Sequence, residues 1–127
     1  MGTVRHHTRV NRPAADLWAI VTDAGDISWM DGVDSCSMEG DIRTLETMGM
    51  EIQEQIVTND PELRRLQYVI MGGAMVPEHH IATIDVIEDG DGSLLIYGCD
   101  IKPDELVGIF DGICAGAMNA IKARAES

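Results

Sequence analysis

The sequence has 127 residues, enough for one domain with a hydrophobic core and too few for two. With 22 acidic residues against 9 basic ones, its formal net charge is −13, and no cluster of lysine or arginine interrupts this excess. Nucleic acid and anionic membranes are therefore poor partners for the chain. Its apolar fraction is 45%, with eight methionines against two tryptophans, two tyrosines and one phenylalanine. Because methionine side chains are flexible, we expect an interior that adapts to ligands of irregular shape.

The three cysteines indicate a reducing environment. Cys36, Cys99 and Cys114 are odd in number, widely spaced and form no C-x-x-C pair. The start of the chain lacks the apolar core of a signal peptide, and no segment approaches the run of about 18 apolar residues that spans a bilayer. We expect a soluble, cytoplasmic protein without stable membrane insertion.

The first third of the chain predicts one strand followed by helix. Thr3–Val10 alternates between apolar and polar positions, as a half-buried strand does, and this register turns His6 inward. Asn11-Arg12-Pro13 is typical of a helix start, and the apolar spacing after it predicts a helix to about Thr22. Asp26–Met30 is short and predicts a second short helix or a turn.

The middle of the chain alternates between strand patterns and turn residues for about seventy residues, which predicts a β-meander. Its turn signals include Met48-Gly49 and the hairpin signal Asp89-Gly90-Asp91-Gly92, while Gly72-Gly73 is expected to break a strand and border a cavity mouth. The six predicted strands are Val33–Glu39, Ile42–Thr47, Met50–Thr58, Leu63–Met71, Val76–Glu88 and Leu94–Lys102.

A long helix is predicted over Pro103–Glu126, because proline and acids open it and apolar residues then recur at helical spacing. A stripe of small residues, spaced by four, follows one edge of its apolar face: Gly108, Gly112, Gly116 and Ala120. This stripe indicates tight packing against a sheet or room for a ligand. An exposed part of it would support a dimer, so both monomer and homodimer remain open.

These elements predict a single α+β domain over residues 1–127, in which the C-terminal helix covers the apolar face of an antiparallel sheet. The element order also resembles the START-like (SRPBCC, Bet v 1-like) superfamily, most closely its polyketide cyclase/dehydrase branch. The residues that carry the resemblance are the stretch from Pro13 to Asp23, Trp29, Met38-Glu39-Gly40-Asp41, the series Glu54, Asp60, Arg65 and Tyr68, the Asp-Gly repeat from Asp89 to Gly92, and Ile101-Lys102-Pro103.

The resemblance implies a helix-grip fold. In that fold a curved, seven-stranded antiparallel sheet wraps around the long C-terminal helix, with two short helices after the first strand. It also implies a cavity between sheet and helix that in many members holds a hydrophobic small molecule. Tyr97 stands where many members have tryptophan, and the chain is short. A compact hydrophobic or aromatic ligand is therefore expected rather than a sterol or a two-chain lipid.

Strand parity predicts which side chains line this cavity. They are apolar with a few polar groups, which is the usual chemistry of a small-molecule site. Resemblance to plant hormone receptors of the same superfamily supports Glu54 as a cavity carboxylate and Tyr68 as an aromatic lining residue. The predicted lining is Trp29, Cys36, Met38, Ile52, Glu54, Tyr68, Ile70, His80, Ala82, Tyr97, Cys99, Phe110, Ile113, Ala117 and Met118.

The polar members of this set leave catalysis open. Glu54, beside His80 or His6 and with Tyr68 near, would move the protons that aldol cyclisation and dehydration of a polyketide require. The opposing interpretation pairs Glu54 with Arg64 or with the Tyr68 hydroxyl and makes His80 a satisfied core histidine. A bulge in the strand would exchange His80 for His79 as the inward residue.

The first function hypothesis is therefore a binding protein for a compact hydrophobic or aromatic molecule. The alternative is a cyclase or dehydratase, a lyase or isomerase that works without metal. A third hypothesis is a module that binds a protein partner through its acidic surface. No cofactor is expected, and no metal, because adjacent histidines on a strand point to opposite faces. Cys99 and Cys114 lie in apolar rows, where a thiol is a poor nucleophile.

Overall fold

Seven antiparallel strands form one sheet in the computed structural model, which describes residues 1–127. Their order across the sheet is β1-β7-β6-β5-β4-β3-β2, so the first strand closes against the last one. The strands are β1 (Gly2–Val10), β2 (Val33–Glu39), β3 (Ile42–Thr47), β4 (Met50–Asp60), β5 (Arg65–Gly73), β6 (His79–Asp89) and β7 (Gly92–Lys102). Helix α1 is Ala14–Thr22, and helix α2 is Val107–Glu126 after a 3-10 turn at Asp104–Leu106.

Helix α2 covers the inner face of the sheet and packs on β1 and β7. Its buried residues recur at helical spacing and share one core with the inward residues of the sheet: Phe110, Cys114, Ala117, Met118, Ile121 and Ala125. By length and composition Asp104–Glu126 would also suit a membrane span. Here, however, one of its faces closes the core. Helix α1 completes the packing by burying Ala14, Leu17 and Val21.

The α+β fold class and the helix-grip arrangement are confirmed. Only α1 follows β1 as a helix, because the segment Asp26–Met30 forms turns, the second of the two forms expected for it. Two strands begin later than predicted. β5 starts at Arg65, since Arg64 has a positive φ of 54° and ends the turn, and β6 starts at His79, two residues after Pro77, which lacks a backbone N–H.

The prediction that Gly72-Gly73 breaks a strand is wrong. Both glycines lie within β5 and pair with Gln53 and Ile52 of β4. Gly73 has a φ of 101°, and a side chain there would collide with the carbonyl oxygen of Glu51. Glycine is therefore needed for close strand pairing at this point. The irregular connection comes afterwards, at residues 74–78.

The small-residue stripe of α2 faces solvent, so both interpretations of it as an inward feature are wrong. A Cβ added to Gly108, Gly112 or Gly116 would have no other atom within 4 Å. Their neighbours Ile109 and Ile113 are 59% and 46% exposed. Apolar or small residues surround much of α2, and periodicity therefore placed the edge of its buried face incorrectly.

Candidate ligand-binding site

A buried ion pair crosses the inner face between β3 and β4. The two-residue turn Met48-Gly49 sets a register in which Arg43 lies opposite Glu54. Nε and Nη2 of Arg43 both donate to Oε1 of Glu54, at 3.0 and 2.6 Å, and Nη1 donates to the carbonyl oxygen of Ala24 at 3.2 Å. The two residues are only 5% and 8% exposed. Each of the three guanidinium nitrogens therefore donates one hydrogen bond, and one of the two carboxylate oxygens accepts two of them.

Burial and charge act against each other in this pair. Burial raises the pKa of Glu54, while the Arg43 guanidinium opposes that rise. Burial also disfavours a charged Arg43, but Glu54 and Tyr68 outweigh it, so that the pKa of Arg43 is raised and the guanidinium stays charged. Two N–H groups directed at one oxygen stabilise an ionised Glu54. The pair thus brings one positive and one negative charge into the interior.

Two buried tyrosines lie next to the pair. The Arg43 guanidinium sits over the ring of Tyr68, 5.0 Å from its centroid. The Tyr68 hydroxyl hydrogen-bonds the hydroxyl of Tyr97. Strand β6 lies between the strands of the two tyrosines. There Tyr68 pairs with Ala82, whose small methyl side chain does not separate the two hydroxyl groups. Burial raises the pKa of both tyrosines, which therefore remain neutral hydroxyl groups.

His80 lies where β5 and β6 separate. The paired residues of these strands run from Arg65–Asp85 to Tyr68–Ala82, and two positions further on that register would place Ile70 opposite His80. Instead, the backbone N–H of Ile70 donates to Nδ1 of His80 at 3.1 Å. Because Nδ1 accepts this bond, the proton of the neutral ring sits on Nε2.

The ring of His80 is held between two aromatic side chains. Its centroid is 5.9 Å from that of Tyr68 and 5.3 Å from that of Phe110 on α2. Burial lowers the pKa of His80 to about 4, with the neighbouring His79 adding to that effect. The inward register is that of His80, which is 7% exposed, while His79 is exposed. His80 is thus neutral at physiological pH.

Two polar atoms of this cluster have no hydrogen-bond partner in the protein. They are Oε2 of Glu54 and Nε2 of His80, whose residues are 8% and 7% exposed. Neither atom is completely enclosed by protein, because every fully buried side-chain nitrogen or oxygen has a partner. Glu54 pairs with Ile70, and Ile70 bonds His80, so the two residues occupy one row across β4, β5 and β6. A hydrogen-bond acceptor, Oε2 of Glu54, and a donor, Nε2 of His80, therefore lie in the same row of residues.

Most of the predicted lining does lie on the inner side. Tyr68, Ala82, Tyr97, Cys99, Phe110, Ala117 and Met118 are buried in the core, while Ile70 and Trp29 are partly buried against it. Ile52 and Cys36 are also partly buried, and the Cys36 thiol donates to the carbonyl oxygen of Gly25 at 3.6 Å. Trp29 donates from Nε1 to the carbonyl oxygen of Asp26 and lies beneath the guanidinium of Arg124.

Two lining predictions are wrong. Ile113 is 46% exposed on the outer side of α2, next to Ile109, because the buried face of the helix centres on Phe110 and Cys114. Met38 is 37% exposed and lies against Gly25 at the edge of the sheet rather than in the interior. Both errors arose at the margin of a face, where sequence periodicity resolves direction least well.

Other candidate partners are engaged elsewhere. Nε2 of His6 bonds Asp111 of α2 at 2.9 Å, and Arg64 lies 3.7 Å from Glu88 rather than against Glu54. The neighbouring thiol of Cys99, together with burial, raises the pKa of Cys114. Depressions on the outer face lie beside β7 and across β2 to β4, and none of the residues that line them is Glu54, Tyr68 or His80.

Arg43 is the member of this buried cluster that the sequence analysis did not include. The signal was present, because Arg43 shares the inward parity of Leu45, which is 7% exposed. The turn at Met48-Gly49 also fixes Arg43 opposite Glu54. Arg64, which the sequence offers as an alternative partner of Glu54, lies one residue before β5 and contacts Glu88 instead.

Comparison with known proteins agrees with this architecture. The family model described as "Polyketide cyclase / dehydrase and lipid transport" matches residues 1–126. The chain therefore belongs to the polyketide cyclase/dehydrase and lipid transport family. A comparison with curated proteins gives no match.

Solved structures of the same fold are numerous. The protein XoxI from Bacillus cereus superposes with a TM-score of 0.88 at 19% identity, over 98% of this chain and 95% of that one. A START superfamily protein from Mycobacterium smegmatis gives 0.83 at 16% identity, over 98% and 97%. Norcoclaurine synthase from Thalictrum flavum, solved with dopamine and hydroxybenzaldehyde, gives 0.75 at 21% identity, over 97% and 85%. At these identities the likeness establishes the fold.

Proposed function

We propose that this protein binds a compact hydrophobic or aromatic small molecule between the curved sheet and α2. The observation that carries the proposal is the pair of unpartnered polar atoms, Oε2 of Glu54 and Nε2 of His80, on residues that are only 8% and 7% exposed. Because every fully buried side-chain nitrogen or oxygen has a partner, these two atoms are accessible, and a bound molecule can reach them. A ligand that bonds both would use them as the few polar groups of an apolar site are usually used.

The surroundings of these atoms support an apolar ligand. The ring of Phe110 approaches from α2, Tyr68 flanks His80, and Ile70 lies between Glu54 and His80 in the row. Aromatic and aliphatic groups of this kind stabilise a bound ring by burying its surface. The family description, which includes lipid transport, agrees with such a role. The three free cysteines agree with a cytoplasmic location.

A cyclase or dehydratase activity is the second candidate, and the same two atoms favour it. Nε2–H of His80 would polarise a ligand carbonyl, while Oε2 of Glu54 would take a proton from the carbon beside it. Two features weaken this candidate. Arg43 holds the other oxygen of Glu54, which lowers the basicity of the carboxylate, and the low pKa of His80 makes the ring a hydrogen-bond donor rather than a proton donor. Binding is therefore the better-supported function.

Titration with the uncharged fluorescent probe N-phenyl-1-naphthylamine tests the binding function. We expect saturable fluorescence enhancement with one site per chain. Ile70→Trp places a larger ring in the row between Glu54 and His80 and should abolish this enhancement. Ile109→Trp adds the same side chain at a position that is 59% exposed and serves as the matched control. Equal binding by the two variants, or no saturable binding by the wild type, would refute a site in the interior.

A further inference from the structure

The charges inside the protein restrict which molecules it can hold. Apart from the tyrosine hydroxyls and cysteine thiols, the buried polar or charged side chains are those of Arg43, Glu54, His80 and Ser93. Ser93 donates to the carbonyl oxygen of Arg12 and takes no part in the cluster. Since His80 is locked as a neutral ring by the Ile70 N–H, the only buried charges are those of Arg43 and Glu54. They cancel each other.

A charged ligand would disturb this balance. A carboxylate that approaches Nε2 of His80 would add an uncompensated negative charge to a low-dielectric interior that already contains Glu54. No second buried cation is there to receive it, and the charge of Arg43 is already paired with Glu54 through Nε and Nη2. An ammonium group on the ligand would leave a net positive charge instead. Only an uncharged ligand keeps the interior neutral.

The two unpartnered atoms also differ in the kind of hydrogen-bonding group that they can bind. Nε2–H of His80 can only donate a hydrogen bond, since Nδ1 is occupied by the Ile70 amide. Oε2 of an ionised Glu54 can only accept one. The residues lie on β4 and β6, with one strand between them, so their backbones are at least roughly 10 Å apart. That separation suits a ring system with one polar group at each end.

We infer that the site selects uncharged aromatic or alicyclic molecules that carry a carbonyl at one end and a hydroxyl at the other. The carbonyl oxygen accepts from His80 Nε2–H, and the hydroxyl donates to Glu54 Oε2. This inference rests on the proposed binding function and adds a charge rule to it: Arg43 is present to neutralise Glu54, not to receive an anion. Removing the charge of Glu54 should therefore invert the selectivity of the site.

The test compares three ligands with the same ring system near neutral pH by isothermal titration calorimetry. They are 6-acetyl-2-naphthol, which has both polar groups, 2-naphthol, which lacks the carbonyl, and 6-hydroxy-2-naphthoate, which replaces the ketone with an anion. For the wild type we expect 6-acetyl-2-naphthol to bind about tenfold more tightly than the naphthoate, and about fivefold more tightly than 2-naphthol. His80→Leu should abolish the difference between the two naphthols.

Glu54→Gln keeps the shape of the side chain and leaves Arg43 without its counter-ion, so the naphthoate should become the tightest ligand of the three. The double variant Arg43→Met/Glu54→Leu removes both charges, and it should again prefer the ketone over the naphthoate. It keeps the charge rule testable even if Glu54→Gln does not fold.

Equal wild-type affinity for ketone and naphthoate would overturn the charge rule and leave the binding function in place. A Glu54→Gln variant that folds yet keeps the wild-type ratio would also overturn it, and so would a double variant that prefers the naphthoate. Failure of all three ligands to bind the wild type, together with failure of N-phenyl-1-naphthylamine, would overturn the binding function itself and the charge rule with it.

Discussion

Replacing Arg43 with methionine should be among the most destabilising single changes in this protein. The change removes two hydrogen bonds to Glu54 and one to Ala24, and it leaves an uncompensated carboxylate on a residue that is 8% exposed. Breaking a buried ion pair by removing one partner costs about 3–5 kcal/mol in free energy of unfolding. A domain of this kind has about 5–15 kcal/mol in total, so Arg43→Met should remove at least about a fifth of it.

The loss of stability caused by Arg43→Met should increase as the pH rises. Burial already raises the pKa of Glu54 in the presence of Arg43, and loss of the guanidinium raises it further. A group whose pKa is higher in the folded state stabilises that state when it is protonated, and this stabilisation is lost as the pH rises through the folded value. The gap between wild type and Arg43→Met should therefore be larger at pH 8 than at pH 5.

Urea unfolding followed by circular dichroism measures these free energies. Arg43→Met/Glu54→Leu is the key comparison, since removing both charges should recover most of the loss. Arg65→Met is the surface control: Arg65 bonds Asp85 at 2.8 and 2.9 Å, but its side chain is 42% exposed, and its loss should cost about 1 kcal/mol or less. The reasoning is refuted if Arg43→Met costs no more than Arg65→Met, or if the double variant is as unstable as the single one.

Two further perturbations follow from the same structure. Because burial lowers the pKa of His80 from 6.5 to about 4, wild-type stability should fall as the pH drops from 6.5 to 4, by on the order of 3 kcal/mol once His80 is protonated. His80→Leu should lose that part of the dependence, and a titration of the His80 ring by NMR with a midpoint near 6.5 would contradict this explanation. Gly73→Ala should destabilise the protein by about 2 kcal/mol or more, because of its positive φ and the Glu51 carbonyl. Gly116→Ala, on the exposed face of α2, should instead stabilise the protein by about 0.5–1 kcal/mol. Thermal unfolding that ranks the two glycine variants in the opposite order would be incompatible with the described backbone.

The sequence was informative wherever one physical signal dominated. Strong turn residues such as Asp89-Gly90 set the hairpin between β6 and β7, and alternation then placed Glu54, Tyr68 and His80 on the inner face. Proline and acids located the start of the last helix to within a turn. These signals are local, and they fix both the type of each element and the face that its residues occupy.

The parts that could not be predicted depend on contacts between distant segments. Alternation alone did not reveal that β5 and β6 separate after Tyr68, so the bond between Ile70 and His80 was not expected. The pairing of Arg43 with Glu54 needed a register across two strands, although the turn between them contains enough information to derive it. The outward direction of Ile113 depended on how α2 rotates against the sheet.

The most direct test of the central claim is native mass spectrometry of the protein purified from the cells that produce it, followed by denaturation and identification of the released molecule. The account predicts one uncharged, largely apolar molecule per chain, with a carbonyl and a hydroxyl group, and its absence from Ile70→Trp. Wild-type protein that carries no small molecule would contradict the account. So would an anion that is bound equally by the wild type and by Ile70→Trp.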